Sequence, residues 1–130
     1  MKRSFDCAIH ILSFLDKSVQ KVPYPKNLLD SREIIRIEFN YPLSATHTFE
    51  FHKKGGFTNM DFVRAVCKKY KEIYAEEDKS MSGKERYIPG MFNRQTSDGK
   101  YGIWGHVLGD LFLEGAKLKS NGVWTLSMGS

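Results

Sequence analysis

The stretch from Thr58 to Glu77 most limits what this chain can become. Phe62, Val63, Val66, Tyr70, Ile73 and Tyr74 recur at spacings of three and four, so they share one helical face. Arg64, Lys68, Lys69, Lys71, Glu72 and Glu76 fall on the other side. Thr58 stands at the N-cap position, and Asp61 three residues on gives capping-box spacing with Asp in place of the usual Glu or Gln. Gly55-Gly56 permits a turn into the helix, and Lys79 to Gly83 offers an exit. A helix with one apolar stripe has to cover a sheet or other helices. The rest of the chain must therefore build that partner surface.

Two hairpins are legible. Ile35, Ile37, Phe39 and Tyr41 alternate with Arg36, Glu38 and Asn40, the period of a half-buried strand. Pro42-Leu43-Ser44-Ala45 makes a turn, and His47 to His52 alternates again with Phe49 and Phe51 inward. Glu50 should lie across from Arg36. Leu111 to Leu118 and Val123 to Met128 form a second pair of strands around Asn121-Gly122, a strong hairpin signal because both residues tolerate positive φ. At the N-terminus, Phe5, Ala8, Ile9, Leu12, Leu15 and Val19 have helical spacing over residues 5–19, with Ser4 as cap. This predicts an N-terminal helical segment over 1–21, ended by Val22-Pro23-Tyr24-Pro25. Residues 79–100 carry no periodic pattern and read as a long surface loop, anchored by Tyr87, Ile88, Met91 and Phe92.

The expected fold is α+β: one domain over 1–130, with a mostly antiparallel sheet of about four strands packed on the central helix. Hairpin, helix, hairpin is also the element order of β-grasp domains, which says nothing about function.

The 130 residues suffice for a core without staples, and 41% hydrophobic against 27% charged residues is ordinary for a globular chain. No apolar run nears the roughly 18 residues of a membrane span. Met1-Lys2-Arg3 resembles the start of a signal peptide, but Asp6, His10 and Asp16 interrupt the apolar stretch behind it. The expectation is an intracellular protein, cytoplasmic or nuclear. A net charge of +5 permits a polyanionic partner without demanding one.

Chemistry is sparse. The histidines are His10, His47, His52 and His106, and no His-x-x-x-His or Cys-x-x-Cys spacing exists, so no metal site and no cofactor is expected. His47 and His52 point to opposite faces of one strand. Cys7 and Cys67 are too few for a disulfide framework, and Cys67 beside the apolar stripe reads as a buried hydrophobe. Nucleophile elbow, Walker loop and dinucleotide fingerprint are missing. Trp104, His106 and Asp110 form the most unusual group: a candidate ligand patch, or else Trp104 closes the end of the core and His106 caps a turn.

Tyr101-Gly-Ile-Trp-Gly-His106, followed by Gly109-Asp110-Leu111 and Leu113-Glu114-Gly115, resembles a stretch of uncharacterised small proteins of giant DNA viruses and protists. The resemblance implies a shared structural signature and supplies no activity.

The function expected from these features is a small non-enzymatic protein-interaction or structural module, self-associating as a homodimer or docking another protein. Its interface is expected over residues 8–15, with Ile11, Phe14 and Leu15 as an exposed apolar patch, and on the 79–100 loop. The alternative is nucleic-acid binding through Lys53, Lys54, Arg64, Lys68, Lys69 and Lys71. A second alternative is an enzyme with its site near Trp104, His106 and Asp110.

Overall fold

The computed structural model describes residues 4–17, 21–80 and 99–130. In chain order these form β1 (Ser4–His10), α1 (Ile11–Leu15), β2 (Leu28–Asp30), β3 (Ile34–Phe39), β4 (His47–His52), β5 (Phe57–Thr58), α2 (Asn59–Ser80), a 3₁₀ turn at Leu108–Asp110, β6 (Phe112–Leu118) and β7 (Val123–Gly129). The fold is α+β, with one principal helix on a mostly antiparallel open sheet.

All six stripe residues of α2 are buried. The helix opens with the reciprocal box its sequence announces: the Asp61 amide donates to Thr58 Oγ1 at 3.1 Å, and the Thr58 amide donates to Asp61 Oδ2 at 3.0 Å. Such a cap contributes about 1 kcal/mol. Ile35, Ile37 and Phe39 of β3 and Trp124 and Leu126 of β7 meet the stripe from below. Tyr70 lies edge-on to Phe39 with centroids 5.0 Å apart, and Phe62 meets Trp124 at 5.2 Å.

Among the described residues the sheet has five strands rather than about four, in the order β1-β6-β7-β3-β4. Hairpins β3–β4 and β6–β7 join through a parallel β3–β7 pairing, with Ile37 beside Trp124. β2 and β5 form a separate two-stranded ribbon. The expected Arg36–Glu50 pair is in register, with the side chains 3.6 Å apart. Both are exposed, so the pair is worth at most about 1 kcal/mol.

The N-terminal helix is a correction. Residues 4–10 are a strand, and helix is confined to Ile11–Leu15; residues 1–3 and 18–20, including Val19, lie outside the described residues. Phe5, Cys7 and Ile9 also fit a period of two. A helical stripe requires Ala8 inside, whereas it is exposed. The strand wins because β6 offers a ladder partner: Phe5 pairs with Ala116 and Ile9 with Leu113, with a register shift between Asp6 and Ile9. Gly115 permits the approach, since a Cβ there would stand 2.5 Å from the Phe5 carbonyl oxygen. Consequently Ile11, Phe14 and Leu15 do not form the exposed patch expected of them, although Ala8 and Leu12 lie at the surface. Ile11 is fully buried, and Phe14 and Leu15 are half-buried against the core. Of the expected 79–100 loop, Lys79 and Ser80 belong to α2, and residues 81–98 lie outside the described residues, including the anchors Tyr87, Ile88, Met91 and Phe92.

Two buried carboxylates fasten the parts together. Asp30 accepts from Trp124 Nε1 at 2.9 Å, from the Arg32 amide at 3.0 Å and from the Arg32 guanidinium at 2.7 Å, and Arg32 also donates to the Gly122 carbonyl. Burial alone would raise this carboxyl, but the hydrogen bonds from Arg32 and Trp124 and the guanidinium charge outweigh it and hold it below the usual carboxylate range. Glu77, in the last turn of α2, accepts from the Gly99 amide at 3.0 Å and the Tyr101 amide at 2.6 Å. It thereby clamps the returning chain to the helix.

No helix among the described residues is long and apolar enough to cross a membrane.

Candidate interaction edge and aromatic cluster

From the clamp at Glu77 the chain runs along the loop after β3. The Ser44 amide donates to the Tyr101 carbonyl, Ser44 Oγ to the Gly102 carbonyl, and the Trp104 amide to the Pro42 carbonyl. These bonds bring Trp104, His106 and Asp110 to one end of the sheet, together with Tyr41. The Tyr41 hydroxyl stands 2.8 Å from His106 Nε2 and 2.9 Å from Ser130 Oγ, and His106 Nδ1 lies 3.5 Å from Asp110 Oδ2. Asp110 also accepts from the Val107 amide at 3.1 Å, and the Tyr74 hydroxyl donates to the His106 carbonyl.

A carboxylate, an imidazole and a phenol in series can relay a proton. Here the imidazole Nε2 is engaged by Tyr41 and the carboxylate contact is long. The rings of Tyr41, Trp104 and His106 sit 5.2 to 5.5 Å apart, which is mutual packing contact. No space for a ligand ring or a methylated cation remains between them. Trp104 is 40% exposed and does not close the core, a role taken by the fully buried Trp124. The geometry is that of a latch holding the loop after β3, residues 104–110 and the end of β7 together. Nothing local in the sequence links Tyr41 and Ser130 to His106, because the three positions lie far apart along the chain.

His10 and the cysteines, the next groups with reactive potential, are held within the fold. His10 Nδ1 is bonded to Ser13 Oγ and its Nε2 approaches the Gly109 carbonyl at 2.7 Å, which fastens the end of β1 to the 3₁₀ turn. Burial pushes the thiols of both Cys7 and Cys67 up to about 12, the neighbouring Asp6 adding to the shift at Cys7. Native protein at neutral pH is therefore expected to react slowly with iodoacetamide, the buried Cys67 only as fast as the fold opens and the half-buried Cys7 ahead of it. Two equivalents should label promptly in denaturant, and prompt native labelling of Cys67 would contradict its burial. Among the described residues no group of three or more His, Cys, Asp or Glu side chains is placed to hold a metal ion.

The basic residues do not act as one face. Arg64 lies 3.8 Å from Asp61, and Lys69 swings toward β4, with its ammonium 4.5 Å from the Phe49 ring centroid and 3.6 Å from Glu72. Lys68 and Lys71 remain on the solvent side of α2, and Lys53 and Lys54 on the turn after β4; all four are exposed. A cavity of about 190 Å³ on the sheet face away from α2 is lined in part by Arg32, Arg36, Glu50 and Asn121. Its guanidiniums are already paired, Arg32 with Asp30 and Arg36 with Glu50.

Among the described residues β4 presents an open backbone edge. β4 closes one side of the sheet and pairs with β3 in unbroken register from Ile34–His52 to Phe39–His47. The Lys53 amide donates to the Glu33 carbonyl at 2.8 Å, one step further along the same ladder. In an antiparallel pair, residues alternate between bonding across and facing away. Lys53, Phe51, Phe49 and His47 therefore bond to β3, and Thr48, Glu50 and His52 aim their N–H and C=O groups outward. These outward groups have no backbone partner among the described residues. On the helix side, Phe49 and Phe51 are half-buried, with Lys69 arched over both. The opposite edge strand, β1, is interrupted by its register shift, as blunted edges often are. Edge polarity follows from register, which the sequence suggested through the Arg36–Glu50 pairing but did not count out to the backbone.

Compared with models of known protein families, with curated protein sequences and with solved structures, the chain gives no significant match, so function has to be argued from its own geometry.

Proposed function

We propose that this protein is a small non-enzymatic interaction module that takes up a partner strand along β4. The observation that carries the proposal is the regular six-residue edge with outward backbone groups at Thr48, Glu50 and His52, bordered by half-buried Phe49 and Phe51. Main-chain bonds along such an edge supply affinity, and the side chains of alternate residues supply selectivity. Catalysis has less support, because the Tyr41–His106–Asp110 series is closed by its own contacts. Nucleic-acid binding has less support as well, because Arg64 and Lys69 are held by neighbours within the chain.

The test is residue-resolved amide hydrogen exchange on dilute protein, alone and with strand-length peptides of alternating apolar and polar sequence. Free protein should show slow amides at Phe49 and Phe51 and fast ones at Thr48, Glu50 and His52. An accepted peptide should slow those three selectively. Replacing Glu50 by proline deletes an outward amide while leaving the β3 ladder intact, so it should abolish the slowing without unfolding the protein. Equal protection of odd and even positions in dilute protein, or indifference to every strand peptide, would refute the proposal.

A further inference from the structure

We infer that the strand taken up by β4 is the β4 of a second copy, in antiparallel two-fold register with Phe51 at the symmetry axis. This rests on the β4 edge being a docking edge and goes further by naming the partner. Two copies meeting on a two-fold axis pair residue i with residue j at constant i + j, and the hydrogen-bonded pairs must be drawn from the outward set Thr48, Glu50 and His52. Only three registers use that set with at least two of its members engaged.

In the first, Glu50 faces its own symmetry mate, and like charges directly opposite are unfavourable. In the second, Thr48 faces Glu50 and His52 is left beyond the strand. In the third, Glu50 of each copy faces His52 of the other, and the non-hydrogen-bonded position between these two pairs brings Phe51 against Phe51. Glu50 and His52 already lie 2.8 Å apart within one chain. The third register would thus complete a four-membered ring of alternating acid and imidazole on the open face. On the helix side the two half-buried Phe51 rings would cover one another, with Lys69 displaced from above them. Arg36, 3.6 Å from Glu50, faces the ring from β3. Complementarity of charge and apolar cover in one register is what selects a second copy as the occupant.

Sedimentation velocity on the full chain at rising concentration tests the pairing. The weight-average mass should climb from 15.0 kDa toward twice that value. Glu50→His alone and His52→Glu alone should each weaken association about tenfold, because each opposes like groups at two symmetric places. The exchanged double variant E50H/H52E should restore it. Under mild oxidation Phe51→Cys should form a covalent dimer and Phe49→Cys should not, since only position 51 sits at the axis at close Cα spacing. Circular dichroism confirms that each variant is folded. A monomer at every concentration, failure of the exchanged pair to rescue, or cross-linking at 49 in preference to 51 would overturn the inference. If the chain stays monomeric while strand peptides still slow the amides of Thr48, Glu50 and His52, the docking edge stands and the second copy falls. If the peptides also leave those amides unchanged, both fall.

Discussion

Replacing Asp30 by alanine is expected to lower stability at neutral pH by about 2–4 kcal/mol. The side chain is fully buried and is the common acceptor for Trp124 Nε1, the Arg32 amide and the Arg32 guanidinium. Removing it leaves a buried indole N–H without its acceptor and a guanidinium without its counter-ion. Breaking a fully buried pair costs about 3–5 kcal/mol. The Arg32 side chain is 38% exposed and can recruit water, which brings the figure down. For a domain of this size the loss corresponds to a melting temperature lower by roughly 8–16 °C. Asp30→Asn keeps one oxygen for Trp124 and should cost less.

The pH dependence has a definite sign. The carboxyl is held below its ordinary value in the folded protein, so the unfolded chain takes up the proton first, near the usual carboxylate pKa of about 3.9. The stabilisation is present in full above that range and is lost as pH falls toward the depressed native value. The gap between wild type and Asp30→Ala should therefore be wide in urea unfolding at pH 7 and narrow at pH 3. A gap that is constant with pH would mean that the carboxylate charge contributes nothing.

The second large effect belongs to Glu77. Its substitution by alanine leaves the Gly99 and Tyr101 amides without the carboxylate that now receives them at 3.0 and 2.6 Å. Each buried donor left unpaired costs about 1–3 kcal/mol, so a loss of about 2–5 kcal/mol is expected. Hydrogen exchange should locate the damage: the amides of Gly99 and Tyr101 should lose protection, and those of β3 should lose it only to the extent of the global change. Gly99→Ala is a second test of the clamp, because a Cβ there would stand 2.7 Å from the Glu77 carboxyl carbon. Preserved stability in both variants would show that the returning chain is held by other contacts.

Neither carboxylate stands out from its neighbours in the chain. Asp30 precedes Ser31-Arg32 in what looks like an ordinary polar turn, and Glu77 sits inside the acidic run Glu76-Glu77-Asp78. Their partners are remote, Trp124 for the first and residues 99–101 for the second. The aromatic cluster shows the same division. Trp104, His106 and Asp110 are close enough in sequence to be suspected together, whereas Tyr41, which binds His106 and packs on Trp104, is distant along the chain. Without Tyr41 the group resembled an open ligand patch; with it the contacts close on themselves. The N-terminal segment extends instead of coiling for a related reason. Phe5, Ala8, Ile9 and Leu12 satisfy a helical period and Phe5, Cys7 and Ile9 satisfy a period of two, and only the presence of β6 separates the alternatives.

Taken alone, the order of residues determined everything governed by neighbours within a few positions. The α2 stripe and its Thr58–Asp61 cap, the alternation of β3 and β4, and the Asn121-Gly122 turn all answer to local periodicity and backbone preference. Tertiary structure decided what depends on contacts made across the chain: that residues 4–10 extend along β6, that Ile11 is buried, that Asp30 meets Trp124, and that β4 is left at the rim. The physical reason is that a ladder bond or a buried ion pair gains its free energy from a partner, and the chain does not record locally where that partner will stand.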